Sequence, residues 1–323
     1  MALSYSKSGR RLSVVLVCVV LAGTLWASVA LAANPVGTSQ DGTTPAVAAT
    51  QSPAPVESSG ARPAYQVAER SESAQAASAA PLLGPAQGNE HPLMPALRWA
   101  YSGVGDIEKL QDYSATLAKR ERIGGKLMEY EYMALKLRHK PFSVYMYFLG
   151  PAAVKGQEVI FIQGQNDGHM WAHGVGMQNT MFGTVKLKPD GPIAMRNERY
   201  PLTELGILNL TNRLVEVAEK DVKYGECEVK FYKGAKINNR VCTCIEVIHP
   251  EPRRNFLFHV ARIFVDDELN LPIRYESYDW PRERGAKVGV EQLGEEYTYL
   301  NLKVNNGFTD ADFDTKNPNY KFR

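Results

Sequence analysis

The chain has 323 residues, 44% of them hydrophobic and 22% charged, with 37 Lys+Arg against 35 Asp+Glu. That is enough apolar material for a real core in one large or two small domains. A net charge of +2 with no long run of one sign removes the electrostatic reason to expect a nucleic-acid partner, and the composition excludes a collagen, a coiled coil and a multi-span membrane protein.

At the N-terminus, Lys7, Arg10 and Arg11 precede an apolar run from Leu12 to Leu31, the pattern of an export signal. Ala30-Leu31-Ala32 offers small residues where a signal peptidase reads, so the expectation is removal of residues 1–32. The run is also long enough to span a bilayer once, as an uncleaved anchor. Either way the rest of the chain is expected outside the cytoplasm, in the periplasm or cell envelope. Residues 33–90 are mostly Ala, Ser, Pro, Gln, Gly, Thr and Val, which cannot bury enough surface to offset their ordering entropy, and read as a disordered linker. The folded domain is expected at residues 91–323.

Its first element is a helix, because Leu93, Leu97, Tyr101, Val104, Ile107 and Leu110 recur at threes and fours, with Gly103 and Gly105 as an interruption. After Asp112 the period becomes two, and strands are predicted near Tyr113 to Arg122, Leu127 to Arg138, Ser143 to Leu149, Glu158 to Gln163 and His169 to Gly174. The connections carry turn chemistry, Gly124-Gly125, Lys140-Pro141 and Asn166-Asp167-Gly168, and short turns imply antiparallel neighbours. An irregular Met-rich stretch follows, and then a helix capped by Thr203 and running to about Lys220, apolar on two sides. A second strand set is predicted at Glu226 to Lys236, Arg240 to His249, Asn255 to Asp266, Ile273 to Trp280 and Gln292 to Val304. A helix inserted midway through an antiparallel meander and buried from both sides fits best across the concave face of a curved sheet. The expected fold class is mainly β (α+β), ten or so antiparallel strands forming an incomplete barrel with helices covering its concave face.

Catalytic patterns are not evident. His169 and His173 have the spacing of a zinc helix, but H-M-W-A-H lacks the Glu of the metalloprotease motif and lies in a strand pattern. Asp310, Asp312 and Asp314 lack the Gly and closing Glu of a calcium loop and read as a turn opened by Thr309. No metal and no cofactor are expected, and the chain does not read as an enzyme. Three cysteines follow the leader. If Asn238-Asn239 is a two-residue hairpin turn, Cys242 faces Ala235, Cys244 faces Lys233 and Cys227 falls opposite Pro250, so no disulfide is expected among them.

The D-Y-S-A-T-L-A-K-R-E-R opening from Asp112 to Arg122, the run from His259 to Pro281 and the ending D-A-D-F-D-T-K-N-P-N-Y-K-F resemble an uncharacterised family of exported bacterial domains of planctomycete type. More distantly, the strand order, inserted helix and export signal resemble the LolA/LolB-like superfamily of periplasmic lipoprotein carriers and the related envelope-stress sensor domains. The resemblance implies an unclosed barrel with helices as a lid over an apolar cavity for acyl chains. No carrier motif aligns position by position. The expected lining is Met133, Leu135, Met146, Phe148 and Phe161 from the sheet meeting Leu205 and Leu208 from the helix, with Met177, Met181, Phe182 and Met195 as an adaptable rim. The expected function is a non-catalytic, membrane-proximal binder of a lipid or lipoprotein acyl chain, with an envelope protein as a further partner. The alternative is a structural or regulatory envelope protein whose cavity is filled by its own side chains.

Overall fold

The computed structural model describes residues 65–66, 83–175, 183–281 and 292–322. The expected leader, residues 1–32, lies outside the described residues, as do Met177, Met181 and Phe182. The chain divides into two units, Met1–Val56 and Glu57–Arg323, and every described residue belongs to the second.

Helix α1 spans Met94–Ile107 and leads into strands β2 (Asp112–Ile123), β3 (Lys126–Leu127), β4 (Glu131–Arg138), β5 (Ser143–Gly150), β6 (Glu158–Ile162), β7 (Met170–His173) and β8 (Thr184–Leu187). Helix α2 spans Ile207–Asp221 and is followed by β9 (Glu228–Ile237), β10 (Arg240–Ile248), β11 (Val260–Asp266), β12 (Pro272–Asp279) and β13 (Gln292–Val304). With β1 (Tyr65–Gln66), these strands make one antiparallel sheet in the order β1-β9-β10-β11-β12-β13-β2-β4-β5-β6-β7-β8, with β3 folded back on β2. The pairing of β13 with β2 joins the two strand sets, while β8 and β1 end the path without meeting. The sheet is therefore an unclosed barrel, and both helices contribute to clusters packed on it.

Several local expectations change. The described residues contain thirteen strands, not about ten. Helix α1 runs through Gly103 and Gly105; a helical glycine costs only about 1 kcal/mol, which burial of Leu97, Trp99, Ala100 and Ile107 offsets. The run Leu127 to Arg138 is split: Gly124 and Gly125, both at positive φ, turn β3 back onto β2, and Met128 N–H donates to the Glu121 carbonyl at 2.9 Å before β4 begins. Strand β8 lies in the stretch read as irregular, because β7 supplies its ladder. Thr203 sits in a 3₁₀ turn at Leu202–Glu204, and Gly206 precedes α2 in its place. Two pieces of the expected linker are also part of the fold: Tyr65 and Gln66 pair with β9, and Leu83 is buried beside α1.

Asn238 and Asn239 both adopt positive φ in the β9–β10 turn, and Cys242 pairs with Ala235. A bulge then shifts the register, so Cys244 faces Tyr232 and not Lys233. The three cysteines among the described residues are free thiols, and burial pushes Cys227 up to about 11 and Cys242 up to about 12.

Candidate functional site

Strict alternation along β2 and its neighbours builds one face of the sheet as successive cross-strand rows. Tyr113, Leu137, Val144 and Phe161 form the first row, and Ala115, Leu135, Met146 and Val159 the second. Tyr299, Leu117, Met133 and Phe148 form the third. One step further the chemistry changes: Tyr275, Tyr297, Lys119 and Glu131 align in the fourth row, and Ser277, Glu295 and Glu121 in the fifth.

Helix α2 closes the first row. Ile207 N–H donates to Tyr113 Oη at 3.0 Å, and Ile207 is fully buried. Gly206, at φ +119°, lets the backbone come this close; a Cβ there would sit 2.9 Å from Leu137 Cδ1 and 3.1 Å from Tyr113 Oη. Beyond that contact α2 continues over β10–β12, where Leu210, Leu214 and Val217 join the cluster of Ile245, Val247, Ile263 and Tyr275. A cavity of about 1230 Å³ opens over the third to fifth rows, walled by Leu117, Met133, Met146 and Phe148 below and by Leu210, Leu214 and Val217 of α2 above. The segment between β8 and α2 contributes Met195, Glu198, Arg199, Tyr200 and Leu205. Ile193 and Leu257, two exposed large apolar side chains, also belong to the wall.

At the polar end, Lys119 Nζ lies 2.9 Å from Glu131 Oε2 and pairs more closely still with Glu198. Glu295 receives Arg199 Nε at 3.2 Å, Ser277 Oγ–H at 3.2 Å, and the Tyr200 and Tyr297 hydroxyls at 3.3 Å each. Glu121 accepts the Arg199 backbone N–H at 3.0 Å and the Tyr297 hydroxyl. Burial raises the Glu198 carboxyl to about 7; Lys119 works against the rise, while Glu121 and Glu131 add to it. Burial opposes the charge on Lys119, but Glu198, Glu131 and Glu121 outweigh it and keep the ammonium protonated. Burial followed by the charges of Glu295 and Glu121 raises the Tyr297 phenol, so it stays a hydrogen-bond donor.

Of the residues expected to line a cavity, Met133, Met146, Phe148, Met195 and Leu205 line this one. Leu135 is buried in the second row and Leu208 packs against the same core, both outside the lining. Phe161 lies in the first row, its ring 6.1 Å from that of Phe142. Met177, Met181 and Phe182 lie outside the described residues. Sequence reasoning missed the charged wall of Lys119, Glu121, Glu131, Glu198 and Glu295. Its signal was present in β2, where Lys119 and Glu121 continue the alternation of Ala115 and Leu117.

His173 also borders the cavity, with Nδ1 3.1 Å from Thr184 Oγ1, while His169 Nδ1 sits 3.0 Å from the Asp167 carbonyl. Asp312 and Thr309 form a capping box, and Asp310 pairs with Arg138. Among the described residues, no group of three His, Cys, Asp or Glu is placed to hold a metal ion.

A family model described as "Protein of unknown function (DUF1571)" matches residues 110–322. No curated protein matches. Among solved structures, the chain is similar to a DUF1329 family protein from Desulfovibrio piger, at 14% identity and TM-score 0.33, covering 69% of this chain and 97% of that one. It is similar also to a putative outer membrane lipoprotein-sorting protein domain from Vibrio parahaemolyticus, at 13% identity and TM-score 0.33, covering 68% and 96%. A third is the Mycobacterium tuberculosis lipoprotein LppX, at 12% identity and TM-score 0.38, covering 68% and 100%. Likenesses at this level carry no functional weight.

Proposed function

The chain belongs to the DUF1571 family, and from that premise we propose that it is an exported, non-catalytic protein of the cell envelope that binds the apolar chain of a lipid or lipoprotein. The observation that carries this reading is the cavity: about 1230 Å³ of space beside the packed first row, floored by Leu117, Met133, Met146 and Phe148 and roofed by α2. Ligand pockets typically hold about 300–1,000 Å³ and are mostly apolar with a few placed polar groups, and this cavity has the room and the division of chemistry such a ligand needs. Methionines in its wall repack at little cost around chains of varied shape. Ile193 and Leu257, exposed in the same wall, give an apolar chain a surface to meet on entry.

Native mass spectrometry of the purified chain, paired with titration by the neutral apolar dye Nile red, tests this reading. Copurifying lipid or saturable dye uptake is the expected result. Met133→Trp should fill the floor and abolish uptake with a native circular dichroism spectrum, and Met195→Trp provides a variant in the segment before α2 should the first fail to fold. Wild-type protein that carries no lipid and takes up neither Nile red nor dodecanol would sink the binding reading and favour a structural or regulatory envelope protein.

A further inference from the structure

The polar end of the cavity is unbalanced. Glu121, Glu131, Glu198 and Glu295 surround two cations, Lys119 and Arg199, and over the whole lining seven glutamates stand against four lysines and arginines. Arg196, Arg199, Glu204, Arg213 and Glu216 are exposed, but the inner groups are withdrawn from solvent. Glu121 is 3% exposed, Glu295 4% and Lys119 8%. Both cations are already engaged, Lys119 between Glu131 and Glu198, and Arg199 on Glu295. Glu121 is held by a backbone N–H and a phenol, with no cation within ion-pair distance among the described residues. Glu131 Oε2 is buried and has Lys119 Nζ, 2.9 Å away and shared with Glu198, as its cation. A carboxylate excess in a recess of reduced dielectric is costly until a positive charge enters.

We propose that the cavity selects an apolar chain that ends in an ammonium group, with the chain on the Leu117–Met133–Phe148 row and the ammonium among Glu121, Glu131 and Glu295. This deepens the binding reading above and rests on it. The register makes the two halves adjacent: Lys119 and Glu121 follow Leu117 on the same face of β2, and Glu131 precedes Met133 on β4. A chain lying along the third row therefore brings its head to the fourth and fifth. An ammonium has three donors and finds unused acceptor capacity on Glu131 and Glu121. A carboxylate or phosphate head at this inner end would sit against four carboxylates, with Lys119 and Arg199 already paired and the other two cations of the lining, Arg196 and Arg213, at exposed positions. A hydroxyl head can donate one hydrogen bond but brings no charge.

The test is displacement of Nile red from the full chain by dodecylamine, dodecanol and dodecanoate, each below its micelle concentration and at about pH 8, where the amine is cationic. Dodecylamine should displace the dye at a concentration at least tenfold below that of dodecanoate, with dodecanol between them. Glu121→Gln combined with Glu295→Gln should bring the amine and the alcohol together, the amine losing far more than the alcohol; Glu131→Gln alone, at a more exposed position, should narrow the gap if the double variant does not fold. Equal displacement by all three heads, or preference for dodecanoate, would overturn the ammonium assignment and leave the binding reading intact. Failure of all three, dodecanol included, would remove the binding reading itself and the ammonium assignment with it.

Discussion

The two ends of one sheet face make an instructive contrast. Along β2, Tyr113 lies under the start of α2 in a packed core, and six residues later Lys119 lies in the wall of a cavity. The strands, the alternation and the pairing partners are the same at both ends. What differs is the side chain placed at each step, and that decides whether a helix packs down. An apolar row with Gly206 above it lets the backbone of α2 come within hydrogen-bonding distance of Tyr113. A row of charges offers α2 no apolar partner, and its Leu214 and Val217 pack instead in the cluster of Ile245, Val247 and Ile263, further across the sheet. The opposite face shows another solution. There Arg274, 1% exposed, is matched by Glu276 at 2.5 Å, Glu296 at 2.8 Å and the Thr298 hydroxyl at 2.7 Å, so the charge sits in a filled interior.

The contrast can be broken most strongly in the packed row. Leu137→Ala should cost about 4 kcal/mol in chemical denaturation, because its neighbours cannot collapse into the gap, whereas Met133→Ala, already bordering open space, should cost about 2 kcal/mol. Equal losses would show that the third row is as tightly packed as the first.

Gly206→Ala should cost about 3 kcal/mol from left-handed strain and the clash with Leu137. The same denaturation curves measure it, and a neutral outcome would mean that α2 shifts to accommodate a Cβ.

At the charged end, Lys119→Met should cost about 2 kcal/mol, because it strands Glu131 and Glu198 without their shared cation. Glu198→Gln on that background should recover part of the loss.

The smallest effect is a slope with pH. Glu198 is raised in the folded state, so between about pH 4.5 and about 7 the folded chain holds a proton that the unfolded chain has released. Its contribution to stability therefore falls as pH rises through that window and is restored on acidification. Thermal melts of the wild type and Glu198→Gln across the window should differ in slope, the variant being flatter. Parallel slopes would place the titration on another group.

Sequence by itself determined the alternation that makes the strands, the Asn238-Asn239 turn, the amphipathic pattern of α1 and the two apolar sides of α2, because backbone geometry and local periodicity fix all of these. It also put Met133, Leu135, Met146 and Phe148 on one face of the sheet, since residues two apart in a strand share a face whatever the fold. Only the tertiary structure decided that Leu135 and Leu208 are core while Met133 is cavity wall, for which the deciding fact is where α2 lies on the sheet. The bulge beyond Cys242 and strand β8 likewise depend on partners distant in sequence. Lys119, Glu121, Glu131, Glu198 and Glu295 read as ordinary surface charges until β13, β2, β4 and the segment before α2 are brought together. Their concentration in a buried recess is a property of strand order, which no local window of the chain contains.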